Sequence, residues 1–240
     1  MRRLGAFSPR VATTLTKTVP IIDIIPETSD IQTIRLGAYF PYKAGQAISL
    51  LIPGDPKKRF YSISSSPTEK DHIDITIKAD REQALFGSLF SLNKGAQVEI
   101  AGPMGSFSLP EPLAGPYYFL AGGSGVTPFR AMVKFILDSR PSTDMWLFHS
   151  VKTPDDLIFK DQFLAWSQNP TFHFVPTFTR STELDIEGET GRIGEVLLRK
   201  HLNMMGGTFF LCGPKEFVAD MEHTLVKLGV PTARIRRENW

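Results

Sequence analysis

Gly122, Gly123, Ser124 and Gly125 stand between an apolar run over residues 117–121 and the dipeptide Thr127-Pro128, which opens a second apolar stretch. That order reads as a strand, a glycine turn and a helix start. Glycine lets the backbone approach a ligand that side chains would hold off, and the first N–H groups of a helix have no partner within it. Such a place suits a diphosphate. Pro128 fits the first helical position, where a missing N–H costs nothing. A tight turn with no ligand is the plainer alternative.

A second set lies earlier, in Arg59-Phe60-Tyr61-Ser62. In a strand, Arg59 and Tyr61 point to one side and Phe60 and Ser62 to the other. An aromatic face, a hydroxyl and a fixed cation so close together suit a planar anionic cofactor, with Tyr61 on a ring and Arg59 on a phosphate. Taken alone, the motif reads more simply as an aromatic strand with an exposed arginine. No metal spacing accompanies these residues, since His72, His149, His173, His201 and His223 are scattered. The one cysteine, Cys212, rules out a disulfide or a cysteine-held iron–sulfur cluster within the chain.

These residues need two different scaffolds. Up to Leu109 the chain shows short alternating or β-branched segments with Pro and Gly between them, at residues 19–25, 33–36, 47–52, 60–64, 72–78 and 97–101. In residues 72–78, Ile73, Ile75 and Ile77 share one face, and Asp74, Thr76 and Lys78 the other. Strands at this spacing predict an antiparallel barrel, with one short helix near 85–92. Residues 109–116, rich in Pro and Gly, read as a linker. Strands at 117–121, 145–149, 172–177, 208–212 and 234–237 then alternate with helices at 128–139, 154–167, 193–201 and 215–228. That pattern predicts a parallel sheet with helices on both faces and a ligand site at the C-terminal ends of its strands. The expected fold is therefore an antiparallel β-barrel over residues 1–112, then an α/β parallel-sheet domain over 113–240.

The totals agree with an ordinary globular protein: 240 residues, 42% hydrophobic and 22% charged, with a formal net charge of +2. Near neutrality argues against nucleic-acid binding, and no apolar run is long enough to span a membrane. Residues 1–22 hold Arg2, Arg3, Arg10 and Lys17 and no acid. This is read as a basic cytosolic N-terminus, with an organellar transit peptide as the alternative. A cytoplasmic monomer is expected.

Taken in order, RFYS at 59–62, GPMGSF at 102–107, AGGSGVTPF at 121–129 and LCGPKEF at 211–217 resemble the ferredoxin–NADP reductase superfamily over nearly the whole chain. The resemblance implies FAD, rather than FMN, in the barrel and NADPH or NADH on the α/β domain. It assigns Arg59 to the flavin diphosphate, Tyr61 and its neighbour Phe60 to the flavin ring, and Ser62 to flavin N5. Thr76-Ile77-Lys78 looks like the second flavin strand, and Phe86-Gly87-Ser88 like a helix start facing the diphosphate. The family's plant-type members have serine where Phe86 stands, which shifts that contact to backbone N–H groups or Ser88. The stretch from Gly123 to Pro128 resembles the nicotinamide-nucleotide diphosphate turn, with Thr127 near the nicotinamide, and Cys212-Gly213-Pro214 resembles the motif that closes over it. Glu238 belongs to the Glu-x-aromatic segment ending in Trp240, which either covers the flavin or packs on the sheet edge.

The implied chemistry is hydride transfer to flavin, which needs aligned rings more than acid–base groups. Arg180, Lys152 and Ser150 are candidates to meet the adenosine ribose, and the choice of nucleotide stays open. Electrons would leave to a separate acceptor: a ferredoxin, a flavodoxin or an oxygenase component, for which Lys57, Lys58 and Lys78 offer a basic rim. Reduction of free flavin or ferric chelates, or service as a flavin-holding subunit of a larger complex, are the alternatives.

Overall fold

The computed structural model describes residues 15–79, 89–140, 142–181, 186–201 and 206–239. Phe86, Gly87, Ser88 and Trp240 lie outside the described residues, as does the first half of the helix expected near 85–92, while a 3₁₀ turn occupies Leu89–Ser91 in its second half.

Six strands, β1 (Leu15–Pro26), β2 (Ile31–Leu36), β3 (Ala47–Leu51), β4 (Arg59–Ser62), β5 (Ile73–Lys78) and β6 (Gln97–Met104), form an antiparallel sheet. Their order is β4-β3-β6-β1-β2-β5. A bridge between Ile63 and Ile75 joins the two edges, so the sheet nearly closes into a barrel. Alternation drives the closure: Ile34, Ile48, Leu50, Ile75, Val98 and Ile100 all point into one core. On the other, polar face of β5, Lys78 is exposed but Asp74 and Thr76 are buried. Asp74 is completely buried, because Arg35, His72 and Arg130 close over it.

The second sheet is wholly parallel, in the order β10-β9-β8-β7-β11-β12. It comprises β7 (Tyr117–Gly122), β8 (Met145–Val151), β9 (Phe172–Phe178), β10 (Glu189–Thr190), β11 (Thr208–Gly213) and β12 (Ile235–Asn239). Helices α1 (Thr127–Ser139) and α2 (Lys160–Trp166) pack on one face, and α3 (Glu195–His201) and α4 (Lys215–Lys227) on the other. β7 is apolar throughout because both its faces are covered. The chain moves outward from β7 to β10, then returns to lay β11 on the other side of β7. That reversal opens a crevice at the C-terminal ends of β7 and β11, where sheets of this type bind ligands.

One expected helix is broken. Residues 154–167 form a 3₁₀ turn at Pro154–Asp156, a bend, and then α2. Thr153 and Asp156 cap the turn, and the apolar Leu157, Ile158 and Phe159 swing into the core instead of continuing the helix. Phe159 takes a left-handed φ of 58°. The core under α1 also crosses between the halves: Ile31, Ala44, Phe107 and Leu109 of the barrel half share it with Phe119, Phe129 and Phe210.

Candidate active site

β7 ends at Gly122, a 3₁₀ turn occupies Gly123–Val126, and α1 starts at Thr127 with Pro128 in its first turn. Gly125 sits where a Cβ would come within 2.2 Å of the Cys212 carbonyl oxygen, so the turn rests backbone-to-backbone on the end of β11. Gly123 has φ 54°, and a Cβ there would meet nothing within 4 Å, which leaves open space above the turn. The Thr127 hydroxyl donates to the Ser124 carbonyl at 2.7 Å. His149, two residues before the end of β8, donates through Nε2 to the Gly123 carbonyl at 2.9 Å.

Ser62 closes β4 opposite this turn. It is buried, and its hydroxyl donates to Glu238 Oε2 at 3.3 Å. Glu238 lies on β12 in register with Cys212. Burial pushes the Glu238 carboxyl above the usual range, against the opposing effect of the Ser62 bond. Burial, reinforced by the nearby Glu238 charge, also pushes the Cys212 thiol well up, and its side chain packs in the apolar core with Phe119, Phe129 and Phe210. Arg59 Nη2 meets Asp55 at 2.7 Å and Nη1 donates to the Lys57 carbonyl at 3.0 Å. The Lys57 amide and Arg59 hold the Asp55 carboxyl below its ordinary range. The β3–β4 loop thus aims the guanidinium.

Three cavities run through this region. Phe60, Tyr61 and Ser62 of β4 and Thr76, Ile77 and Lys78 of β5 line one side of the first, about 230 Å³ in volume, while Ser124 and Thr127 line the other. The second, about 420 Å³, shares Lys78 and Ser124 and adds Gly122, Gly123, Pro214 and Lys152. The third, about 400 Å³, shares Ser150, Thr179 and Phe217 with the second and reaches Arg192 and His223. A continuous hollow therefore joins the barrel, the glycine turn and α4. Phe60, 64% exposed, offers a bare aromatic face to the first cavity. An exposed ring, buried hydroxyls and an open glycine turn fit a planar cofactor on β4 and a diphosphate on the turn.

Gly125, Pro128, Cys212 and Gly213 are buried, with Gly125 packed on Cys212 and Gly213, and do not line these three cavities. Arg180 is exposed, its amide donating to the Lys152 carbonyl at 2.9 Å, and it lines none of the three cavities. Reading the sequence missed Arg192 and Phe217 as lining residues, and it missed Arg130. The available signal for Arg130 was a charged residue inside the apolar opening of α1.

Two family models match. The oxidoreductase FAD-binding domain matches residues 28–109, and the oxidoreductase NAD-binding domain matches residues 119–223. A flavohemoprotein of Xylella fastidiosa is 30% identical over 226 residues, covering 89% of this chain and 56% of the relative. The reductase component of propane 2-monooxygenase from Rhodococcus jostii is 27% identical over 222 residues, covering 88% of this chain and 60% of the relative. The chain thus spans little more than half the length of these relatives. The crystal structure of the Amycolatopsis cytochrome P450 reductase GcoB superposes with a TM-score of 0.85 at 26% identity, over 94% of this chain and 70% of that one. No helix among the described residues is long and apolar enough to cross a membrane. Two domain matches in this order, on a barrel and a parallel sheet that share one hollow, show that the chain belongs to the FAD- and NAD-binding oxidoreductases of the ferredoxin–NADP reductase superfamily.

Proposed function

We propose that the chain takes a hydride from NADPH or NADH onto FAD and passes the electrons to a separate acceptor protein, an oxygenase component. The observation that carries this reading is the first cavity, lined by the β4–β5 strands on one side and by Ser124 and Thr127 on the other. Bound FAD accepts a hydride and releases its electrons singly or as a pair. The rest falls to the chain. Tyr61 and Phe60 supply faces for a ring, and Ser62, held by Glu238, supplies a hydroxyl beside it. Arg59, aimed by Asp55, meets the flavin diphosphate, as would the Phe86-Gly87-Ser88 amides. Thr76, Ile77 and Lys78 flank the ring. Gly122, Gly123, Ser124 and Gly125 carry the nucleotide diphosphate, and Thr127, Pro128, Cys212, Gly213 and Pro214 shape the nicotinamide pocket. Trp240, two residues past Glu238 in sequence, is the aromatic residue assigned to cover the flavin ring.

Lys152 and Arg192 in the hollow, with the exposed Arg180 bonded through its amide to the Lys152 carbonyl, are cations available to a ribose 2′-phosphate. One charge-assisted hydrogen bond of about 1.5–3 kcal/mol would favour NADPH by roughly tenfold to over a hundredfold. The oxygenase acceptor is favoured over ferredoxin or flavodoxin because relatives bear the names of monooxygenase and cytochrome P450 reductases. We place the FAD-binding part at residues 1–112 and the NAD(P)-binding part at 113–240, in a cytoplasmic monomer.

The test is anaerobic stopped-flow mixing of the FAD-loaded protein with each nucleotide. Rapid bleaching of the flavin by one of them is expected, followed by reoxidation on adding an oxygenase component. Bound flavin reduced by neither nucleotide would overturn the reading.

A further inference from the structure

Arg130 follows Thr127 by one turn on α1, and its side chain is buried where the two halves meet. Nη1 donates to the Ser64 carbonyl at 2.8 Å, two residues past Ser62 on the barrel. Nε donates to Gln162 Oε1 at 2.8 Å on α2. The guanidinium stands 5.1 Å from the centre of the Phe159 ring, and Nη1 lies 3.6 Å from Asp74. We propose that Arg130 is a positioning residue for hydride transfer: one buried guanidinium fixes the offset between the Thr127 end of α1 and the Ser62 end of β4. The inference rests on the function proposed above.

Three features support it. First, a buried charge is a costly way to join two surfaces, and an apolar side chain of like volume often does so as well or better. What a guanidinium adds is a set of donors with fixed directions, and here they point to two different elements. Second, Asp74 already has a bidentate partner in Arg35, at 2.9 and 3.0 Å. Arg130 is therefore not required to neutralise it. Third, the neighbours of Arg130 are themselves held. Phe159 is kept in a left-handed conformation that a bulky residue rarely adopts. Its amide donates to Glu27 of the barrel half at 3.0 Å. Ser64 is fixed by its amide donating to the Asp74 carbonyl at 2.8 Å and its Oγ accepting from Thr76 at 3.1 Å. Both ends of the Arg130 tie are thus rigid, so a change in the tie moves one half of the site against the other.

The experiment compares wild type with Arg130→Met and Arg130→Lys, each loaded with FAD. Lysine keeps the charge but cannot donate to Ser64 and Gln162 with one planar fork. The expected result is a limiting rate of flavin reduction lowered by about tenfold to a hundredfold, the cost of roughly 1 Å of misplacement, with the nucleotide Kd changed by less than about threefold. The long-wavelength charge-transfer absorbance between flavin and nicotinamide should weaken in parallel. In the apoproteins, amide hydrogen exchange should rise at residues 63–65 and in the first turn of α1, with β1 and β6 still protected. If Arg130→Met does not fold, Arg130→Lys decides. A folded variant with an unchanged limiting rate, or faster exchange spread evenly over the chain, would overturn the proposal. A wild-type protein reduced by neither nucleotide would instead remove the proposed function, and this inference with it.

Discussion

His149 is wholly buried, with one ring nitrogen bonded to the Gly123 carbonyl and Nδ1 without a hydrogen-bond partner among the described residues. A second proton would have no acceptor there. Burial accordingly lowers its pKa from 6.5 to about 4. Between pH 6.5 and about 4 the unfolded chain takes up a proton at this residue and the folded chain does not. The His149 contribution is therefore intact above pH 6.5 and is lost as pH falls towards 4, by up to about 3 kcal/mol. Glu27 and Glu238, both raised by burial, act in the opposite sense, because the folded state holds their protons more readily. A difference measurement isolates the histidine. Stability of wild type minus that of His149→Gln, from urea unfolding, should fall steadily from pH 6.5 to 4. A flat difference would mean that His149 takes its proton in place.

At the scale of the element, the strand–turn–helix from β7 to α1 separates two glycines that look alike in sequence. Gly125→Ala sets a methyl group against the backbone of β11, 2.2 Å from the Cys212 carbonyl. Neither strand end can yield without moving the sheet. Gly123→Ala meets nothing and bears only the left-handed penalty of roughly 1–2 kcal/mol. Thermal midpoints and nucleotide titrations should rank the variants accordingly, with Gly125→Ala losing nucleotide binding and Gly123→Ala staying well folded. Equal effects would mean the turn adapts. This element also marks how far sequence reading goes. The glycine turn, β4 and the strand–helix alternation were legible because each is written in adjacent residues at fixed periods. Arg130 to Ser64 spans 66 positions and Phe159 to Glu27 spans 132, and no local period links such pairs. The break before α2 escaped for the same reason: the apolar run 157–159 satisfies a helical pattern, and only the barrel beyond it makes a bend better. The alternation of β5 likewise says nothing of Arg35 and Arg130, the distant partners that bury Asp74.

For the whole molecule, the question is whether the barrel and the α/β half unfold together. Interfaces between domains of one chain are usually modest and polar, and two independent transitions would then be the default. Here the apolar core itself crosses the junction. Phe107, from the barrel half, lies 6.1 Å from the Phe129 ring and 5.6 Å from the Phe210 ring. Arg130, Phe159 and Glu27 add directional bonds across the same seam. Neither half keeps its core closed without the other, so a single cooperative transition is expected, with equal calorimetric and van 't Hoff enthalpies. Phe107→Ala provides the sharper test. Truncating a buried phenylalanine costs about 3–5 kcal/mol, and in a protein of this size each kcal/mol moves Tm by roughly 2–4 °C. The one midpoint should therefore drop by roughly 6–20 °C, with strand and helix signals moving together. Helix signals that stay in place while the strand signal shifts would show two independent units, and the tie through Arg130 would then join bodies that can part without unfolding.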